Sequence, residues 1–376
     1  MRILHVLPSL NQAYGGPLRS VLELSANAMR AGLSSEVLGF GPLCIADNPL
    51  PTNLLHSLPV EWPSAYCYSR ELTPWLRSHL GAFDGVVLHG VWLYPNWAVA
   101  RECWSQRKPY ACIPHGMLDR RAVRDQGIWK RQKKILYWNW REHSVIARAC
   151  GVFFASAREK LETMRVFPLP KAQFIVPPFG VNPRTQQQAG AVPENGDRKM
   201  ALFLGRLHPK KNLEFLIDAW QRADLGDHWR LVIAGPGAPR YIARLRRLVV
   251  RLGLADRVHF TGFVSGEEKL KLLKRADWFL LPSKQENFGV AVLEAVSHGC
   301  PIAISDQVDI AEALGPDSEV LPLDPDAWVN FFRHRMTNPE HRAQAVRADR
   351  AMLLENFHIE RVSAAWVETL RYLFAH

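Results

Sequence analysis

The sequence predicts an α/β protein built from two doubly wound, parallel-sheet domains facing a cleft. Three observations carry this expectation. Short, continuous apolar runs alternate with helical patterns along most of the chain, as expected for strands covered on both faces. The 376 residues leave room for two domains. Between the halves, 183-PRTQQQAGAVPENGDRK-199 is polar and lacks apolar periodicity. It reads as a linker. The expected boundaries are 1–182, a linker at 183–198, and 199–376, with the last helix, near 359–375, a candidate to pack back on the first domain.

The elements follow in order. In the first half, strands are expected at 2–8, 35–40, 85–90, 110–114 and 151–156. A helix should follow Gly15-Gly16-Pro17, because proline is favourable in a first turn. Residues 41–82, rich in Pro and Leu, give no clear assignment. In the second half, strands are expected at 200–205, 231–235, 258–262, 278–283 and 301–305. Helical patterns fall at 213–220, 239–253, 266–276 and 289–299, the third opened by a Ser265/Glu268 capping box.

Composition narrows the function classes. MRILHVLPSL reads as a first strand and not as a leader, and no run of about 20 apolar residues could span a membrane. Six scattered cysteines without a CxxC pair argue against a zinc site or a disulfide framework and suit a reducing cytosol. A net charge of +11 favours anionic partners: nucleic acid, a phosphorylated substrate or an acidic membrane face.

In doubly wound sheets, ligands bind beyond the carboxyl ends of the strands. After the first strand of the second half comes 205-GRLHPKKN-212, where Arg206, Lys210 and Lys211 cluster before a helix that Asn212 could cap. Cations beside a helix N-terminus make an anion site, although a solvated basic turn would look the same. After the fourth strand comes 283-SKQENFGVAVLEAVSHG-299. Asn287 could cap there, and Gly289 lets a ligand approach the backbone. Glu294 stands in an otherwise apolar run, where a carboxylate without a partner is costly. Were the whole stretch helical, Glu286 and Glu294 would be about 12 Å and 80° apart. That spacing suits two parts of a long ligand better than one acid/base pair; a buried Arg or backbone donors could equally satisfy Glu294. In the first half, Gly16 before its helix and His115 in a strand-exit loop are weaker candidates. Amides and cations suit a diphosphate and carboxylates suit polyols, the parts of a nucleotide sugar.

With those residues in view, the chain resembles the retaining glycosyltransferases of family 4, group 1 type. The resemblance rests on GRLHPKKN, on ENFGVAVLEA with its glutamates spaced by seven residues, and on LPSLNQAYGGPLRSVLELS, LHGVW, PHGMLD and VPPFGVN. It implies the GT-B fold of two Rossmann-like domains, the first on the acceptor side and the second binding the donor. It also implies that Arg206 and Lys211 neutralise the donor diphosphate and that Gly16 offers its N–H to the distal phosphate. Amides at Phe288, Gly289 and Val290 would complete the cradle. Glu286 would hold the donor sugar and Glu294 the ribose, and His115 would contact the sugar beside the reacting centre. His115 and Glu286 are thus the catalytic candidates. No cofactor and no metal are implied; Asp324-Pro-Asp326 reads as a turn. The implied activity is hexosyl transfer, with retention, from a nucleoside diphosphate sugar to a lipid-linked or polysaccharide acceptor in cell-surface glycan synthesis.

Two features depart from the family pattern. Residues 306-DQVDIAEAL-314 replace a Gly-Gly-rich loop, and 239–253 carries five arginines and no acid.

The segment 120–148 carries nine basic residues against two acidic ones, interleaved with Trp129, Tyr137, Trp138 and Trp140. It suits an anionic membrane surface. RNA stacking, or a helix whose aromatic side packs inward, would fit the same pattern. With the family resemblance, the expected location is cytoplasmic, with peripheral attachment to the inner membrane face. A nucleotide-sugar epimerase of the same fold and a basic nucleic-acid- or membrane-binding protein are the alternatives. A nucleic-acid partner is not expected, because several cations converge on strand exits. A dehydrogenase is disfavoured because no GxGxxG follows the first strand.

Overall fold

The computed structural model describes residues 1–11, 16–45, 48–119, 128–167, 169, 172–177, 179–181 and 198–375. All of the expected linker except Arg198 lies outside these residues, as do 120–127 of the basic-aromatic segment. The chain divides into two units, Met1–Gly180 with Ile359–His376, and Val181–His358.

Among the described residues, the first unit holds seven parallel strands in the order β3-β2-β1-β4-β5-β6-β7. They are β1 (Arg2–Val6), β2 (Ser34–Phe40), β3 (Leu55–Leu58), β4 (Gly85–His89), β5 (Tyr110–Ile113), β6 (Gly151–Phe154) and β7 (Gln173–Ile175). All of β4 is buried, as its continuous apolar run requires. Helices Gly16–Arg30, Leu72–His79, Tyr94–Ser105, Ile128–Tyr137, His143–Ala147 and Ala157–Met164 connect the strands. Among its described residues, the region without a clear assignment, 41–82, contains β3, three short 3₁₀ turns and the helix Leu72–His79.

The last helix, Ile359–Phe374, buries Ile359, Val362, Trp366, Val367, Leu370 and Leu373, a stripe recurring every three or four residues. That stripe completes a core with Ile3, Leu24, Ala28, Val87, Ala111 and Phe153. Each such side chain contributes roughly 1.5–3 kcal/mol on burial. Arg371 donates to the Ala31 carbonyl at 2.9 Å and ties the helix to the end of Gly16–Arg30.

Among the described residues, the second unit holds six parallel strands in the order β10-β9-β8-β11-β12-β13. They are β8 (Lys199–Leu204), β9 (Trp229–Ala234), β10 (Val258–Gly262), β11 (Trp278–Leu281), β12 (Ile302–Ser305) and β13 (Glu319–Leu321). Helices Leu213–Ala223, Pro239–Arg251, Gly266–Arg275, Val290–Ser297, Pro325–Asn330 and Pro339–Asn356 cover it. Trp278, Phe279, Trp328, Phe331 and Phe332 are among its fully buried side chains.

Two expected caps are not made as such. Ser265 occupies the N-cap of Gly266–Arg275 but makes no side-chain cap bond. Asn212 precedes Leu213–Ala223 in the left-handed region, at φ 57°, and its side chain does not cap either. Asp324 caps Pro325–Asn330 by accepting from the Ala327 N–H at 2.8 Å, while Asp326 pairs with Arg222 at 2.5 Å. Among the described residues no cluster of His, Cys, Asp and Glu could hold a metal, and no helix is long and apolar enough to cross a membrane.

Candidate functional site

In the second unit, the exits of β8, β9 and β11 build one polar cluster. The loop after β8 is held to the loop after β9 by Gly205 N–H to the Ala234 carbonyl at 3.0 Å and Leu207 N–H to the Pro236 carbonyl at 2.7 Å. The approach is so close that a Cβ on Gly235 would lie 1.9 Å from the Gly205 oxygen. Only glycine fits there. The same β8 loop is held to the β11 exit by Lys284 N–H to the Lys210 carbonyl at 2.8 Å, and Lys210 Nζ reaches Gln285 Oε1 at 3.1 Å.

Two lysine–glutamate pairs occupy this cluster. Lys211 Nζ meets the Glu286 carboxylate. Burial, then the neighbouring Arg206 guanidinium, push the Lys211 ammonium down to about 7. The Glu286 charge against it acts in the opposite sense. Arg206 itself is exposed. In the second pair, Lys269 Nζ of helix Gly266–Arg275 donates to Glu294 Oε1 at 2.6 Å. A cation therefore satisfies the acid within the apolar helix.

Glu286 lies outside that helix. Its backbone bridges to Val308, with Asp309 N–H bonded to the Glu286 carbonyl at 3.1 Å. The helix starts only at Val290, after Gly289 at φ 86°. The helix thus falls within the expected 289–299, and the left-handed turn that glycine permits separates the two acids into a loop and a helix. Asn287 makes no cap, and its Nδ2 is buried without a partner among the described residues. Phe288 packs edge-on against Phe357 with ring centroids 5.5 Å apart, so its backbone and not its ring is offered at the helix start. Phe288 and Gly289 are buried and Val290 is partly exposed.

The first unit builds a different cluster. Gly16 is the first residue of Gly16–Arg30. His115 follows β5 in the left-handed region, at φ 51°, and is partly exposed. Its Nε2 lies 3.0 Å from His89 Nδ1, and His89 Nε2 lies 3.0 Å from His5 Nδ1. Burial lowers all three imidazoles, His5 to about 3 and His115 to about 4, so the row is neutral near pH 7. Beside it, buried Glu159 accepts from Gly116 N–H and from Ala155 N–H at 2.8 Å, and Ser156 caps that helix by accepting from Glu159 N–H at 2.9 Å.

Lys269, His5, His89 and Glu159 were not anticipated. Ser156-Ala-Arg-Glu159 is a capping-box signature that could have marked the last. His5 and His89 stand in the apolar strands β1 and β4, which pair directly. A histidine in each of two adjacent buried strands, with His89 two residues past Val87, the register partner of His5, and hence on the same face, is the signal that was available. Nothing distinguishes Lys269 from a solvated lysine until the fold is known.

On the basic-aromatic segment, Trp138 is buried, whereas Trp129, Leu136 and Trp140 are 85%, 70% and 68% exposed. Lys130, Arg131 and Lys133 are exposed on the same helix. Trp140 lies under the Arg141 guanidinium at 3.8 Å.

The model described as Glycosyltransferase Family 4 matches residues 14–185, and that described as Glycosyl transferases group 1 matches 185–352. An uncharacterized glycosyltransferase of Methanocaldococcus jannaschii is 33% identical over 195 residues, 48% of this chain and 50% of the relative. A GDP-mannose-dependent alpha-(1-6)-phosphatidylinositol dimannoside mannosyltransferase of Mycobacterium tuberculosis is 34% identical over 174 residues, 46% of this chain and 43% of the relative. The chain thus spans about half the length of the curated relatives it matches. Among solved structures, Anabaena HepE in complex with UDP and glucose superposes with a TM-score of 0.77 at 18% identity, over 99% of this chain and 100% of that one. The lipopolysaccharide glycosyltransferase WaaG gives 0.72 at 17%, over 98% and 99%. At these identities the likeness establishes the fold, which is GT-B.

Proposed function

The chain belongs to the family 4, group 1 glycosyltransferases, and from that premise we propose that it transfers a hexose, with retention, from a nucleoside diphosphate sugar to a lipid-linked or polysaccharide acceptor. The observation that carries the reading is the Lys211–Glu286 pair, set between two helix starts and beside Arg206. Breaking the anomeric bond builds negative charge on the departing diphosphate and positive charge on the sugar. Arg206 and Lys211 stabilise the former, aided by the amides of Phe288, Gly289 and Val290. When the diphosphate takes Lys211, Glu286 is released to accept from sugar hydroxyls. Glu294 accepts from the ribose after exchanging Lys269 for hydroxyl donors. The reading keeps Gly16 N–H for the distal phosphate and His115 for the sugar.

In the retaining step, the acceptor oxygen bonds to the anomeric carbon as the bond to the diphosphate breaks, on the same face. The acceptor proton passes to the leaving phosphate oxygen. The chemistry assigned here needs no metal. A thermal-shift panel of nucleotide sugars, with and without EDTA, tests it. A donor at 100 times its Kd should stabilise by about 2.7 kcal/mol, unchanged by EDTA. If no nucleoside diphosphate sugar stabilises the protein, the reading fails.

The exposed tryptophans and cations of 128–141 support adsorption to the anionic inner face of a membrane, where lipid-linked acceptors reside. Flotation with phosphatidylserine vesicles at low salt should carry the protein upward; protein left at the bottom removes this part of the proposal.

A further inference from the structure

The row of histidines ends inside the first unit, not at its surface. His5 stacks on Trp366, with ring centroids 6.0 Å apart. Both line a narrow cavity of about 30 Å³ together with His89, His115, Ser20 and Glu159. His5 Nε2 and Trp366 Nε1 are buried without a hydrogen-bond partner among the described residues. A cavity of this size admits one water, or little more, and needs polar partners to hold it.

One of these two atoms has a fixed role. An indole N–H can only donate. A water between the two accepts from Trp366 Nε1–H and, if it donates a hydrogen bond to the lone pair of His5 Nε2, the sense of the whole row is set. Neutral His5 then carries its hydrogen on Nδ1 and donates to His89 Nε2. His89 in turn donates from Nδ1 to His115 Nε2. His115 is left with its hydrogen on Nδ1, the ring nitrogen not engaged by the row.

We infer that Trp366, one buried water, His5 and His89 form a unidirectional hydrogen-bond row that fixes His115 as a donor through Nδ1–H toward an oxygen of the bound substrate. His5, His89 and Trp366 are positioning residues; only His115 would touch the ligand. The row runs in one sense, so each bond polarises the next and strengthens the terminal donor. That the oxygen belongs to the donor sugar rests on the glycosyltransferase reading; the tautomer does not.

The test reads the tautomer first. Two-bond proton–nitrogen correlation NMR on protein labelled with nitrogen-15 histidine, at pH 7, should show His5, His89 and His115 all protonated on Nδ1. Assignment uses His5→Gln, His89→Asn and His115→Asn. Trp366→Phe keeps one aromatic ring against His5 and removes the N–H together with part of the indole; it should give His115 a mixed tautomer signal. In the same variant, kcat should fall about fivefold with donor KM within twofold, the size of one weakened hydrogen bond. Nε2–H at His115 in the unsubstituted protein overturns the inference, as does an unaltered His115 signal in Trp366→Phe. Because the NMR needs no substrate, its failure is separate from a failure of nucleotide-sugar binding.

Discussion

The two units solve the same problem in opposite ways. Each gathers polar side chains at or just past the carboxyl-terminal ends of its central strands. The second unit stores charge there as two lysine–glutamate pairs, Lys211–Glu286 and Lys269–Glu294, neither fully buried. The first unit instead builds a row without charge: three histidines lie in contact and burial holds them neutral. The difference teaches what each cluster can give up. An ion pair at the rim can trade its partner for a ligand at modest cost, since both ions keep part of their hydration. A buried neutral row cannot trade, because every broken bond leaves an orphaned polar atom. It can only orient.

The comparison breaks most visibly under truncation. Trp366→Ala removes a side chain that is 3% exposed and packs on His5 and Phe153. It should cost the first unit about 3–5 kcal/mol in urea unfolding. A loss below 1 kcal/mol would mean that packing does not hold the neutral row together. Lys211→Ala should act the other way. kcat/KM should fall about 10²–10³-fold, as for loss of one transition-state donor, with little change in Tm. Equal losses in stability and rate would erase the distinction between the units.

pH sharpens the same contrast. With Lys211 lowered to about 7 and a bound diphosphate favouring its charged form, binding takes up a proton above neutrality. Donor Kd should therefore rise about tenfold from pH 7 to 8.5, measured by calorimetry with an intact nucleotide sugar. His5 and His115, near 3 and 4, should add no inflection between pH 5 and 8. A flat Kd would show that Lys211 does not meet the phosphates. The smallest effect is expected for Lys269→Met. Removing this partly exposed pair should cost about 1 kcal/mol or less and, by freeing Glu294, tighten donor binding a few-fold. Weaker binding would instead make Lys269 a ligand contact.

Much of the fold was legible because a parallel sheet writes itself as apolar runs. β4 and β11 needed nothing but VVL and WFLL. Short edge strands were not: β3, β7 and β13 have three or four residues each and no periodicity to find. Of the two clusters, the charged one was half visible, since Arg206, Lys211, Glu286 and Glu294 sit in motifs at strand exits. Its pairing was not, because Lys269 approaches from a helix whose sequence is that of any amphipathic surface helix. The neutral row was read only at His115. His5 and His89 become neighbours through the β1–β4 pairing, a contact between residues 84 apart in the chain.

The last helix also fixes when the first unit can finish folding. Its covering stripe arrives only after the whole second unit has left the ribosome. At roughly 5–20 residues per second, the intervening stretch of about 180 residues takes on the order of 10–35 s. Through that interval the face formed by Ile3, Val87 and Phe153 has no lid of its own. A nascent chain stalled near residue 358 should accordingly bind a general hydrophobic-surface chaperone, and release it once Ile359–Phe374 has emerged.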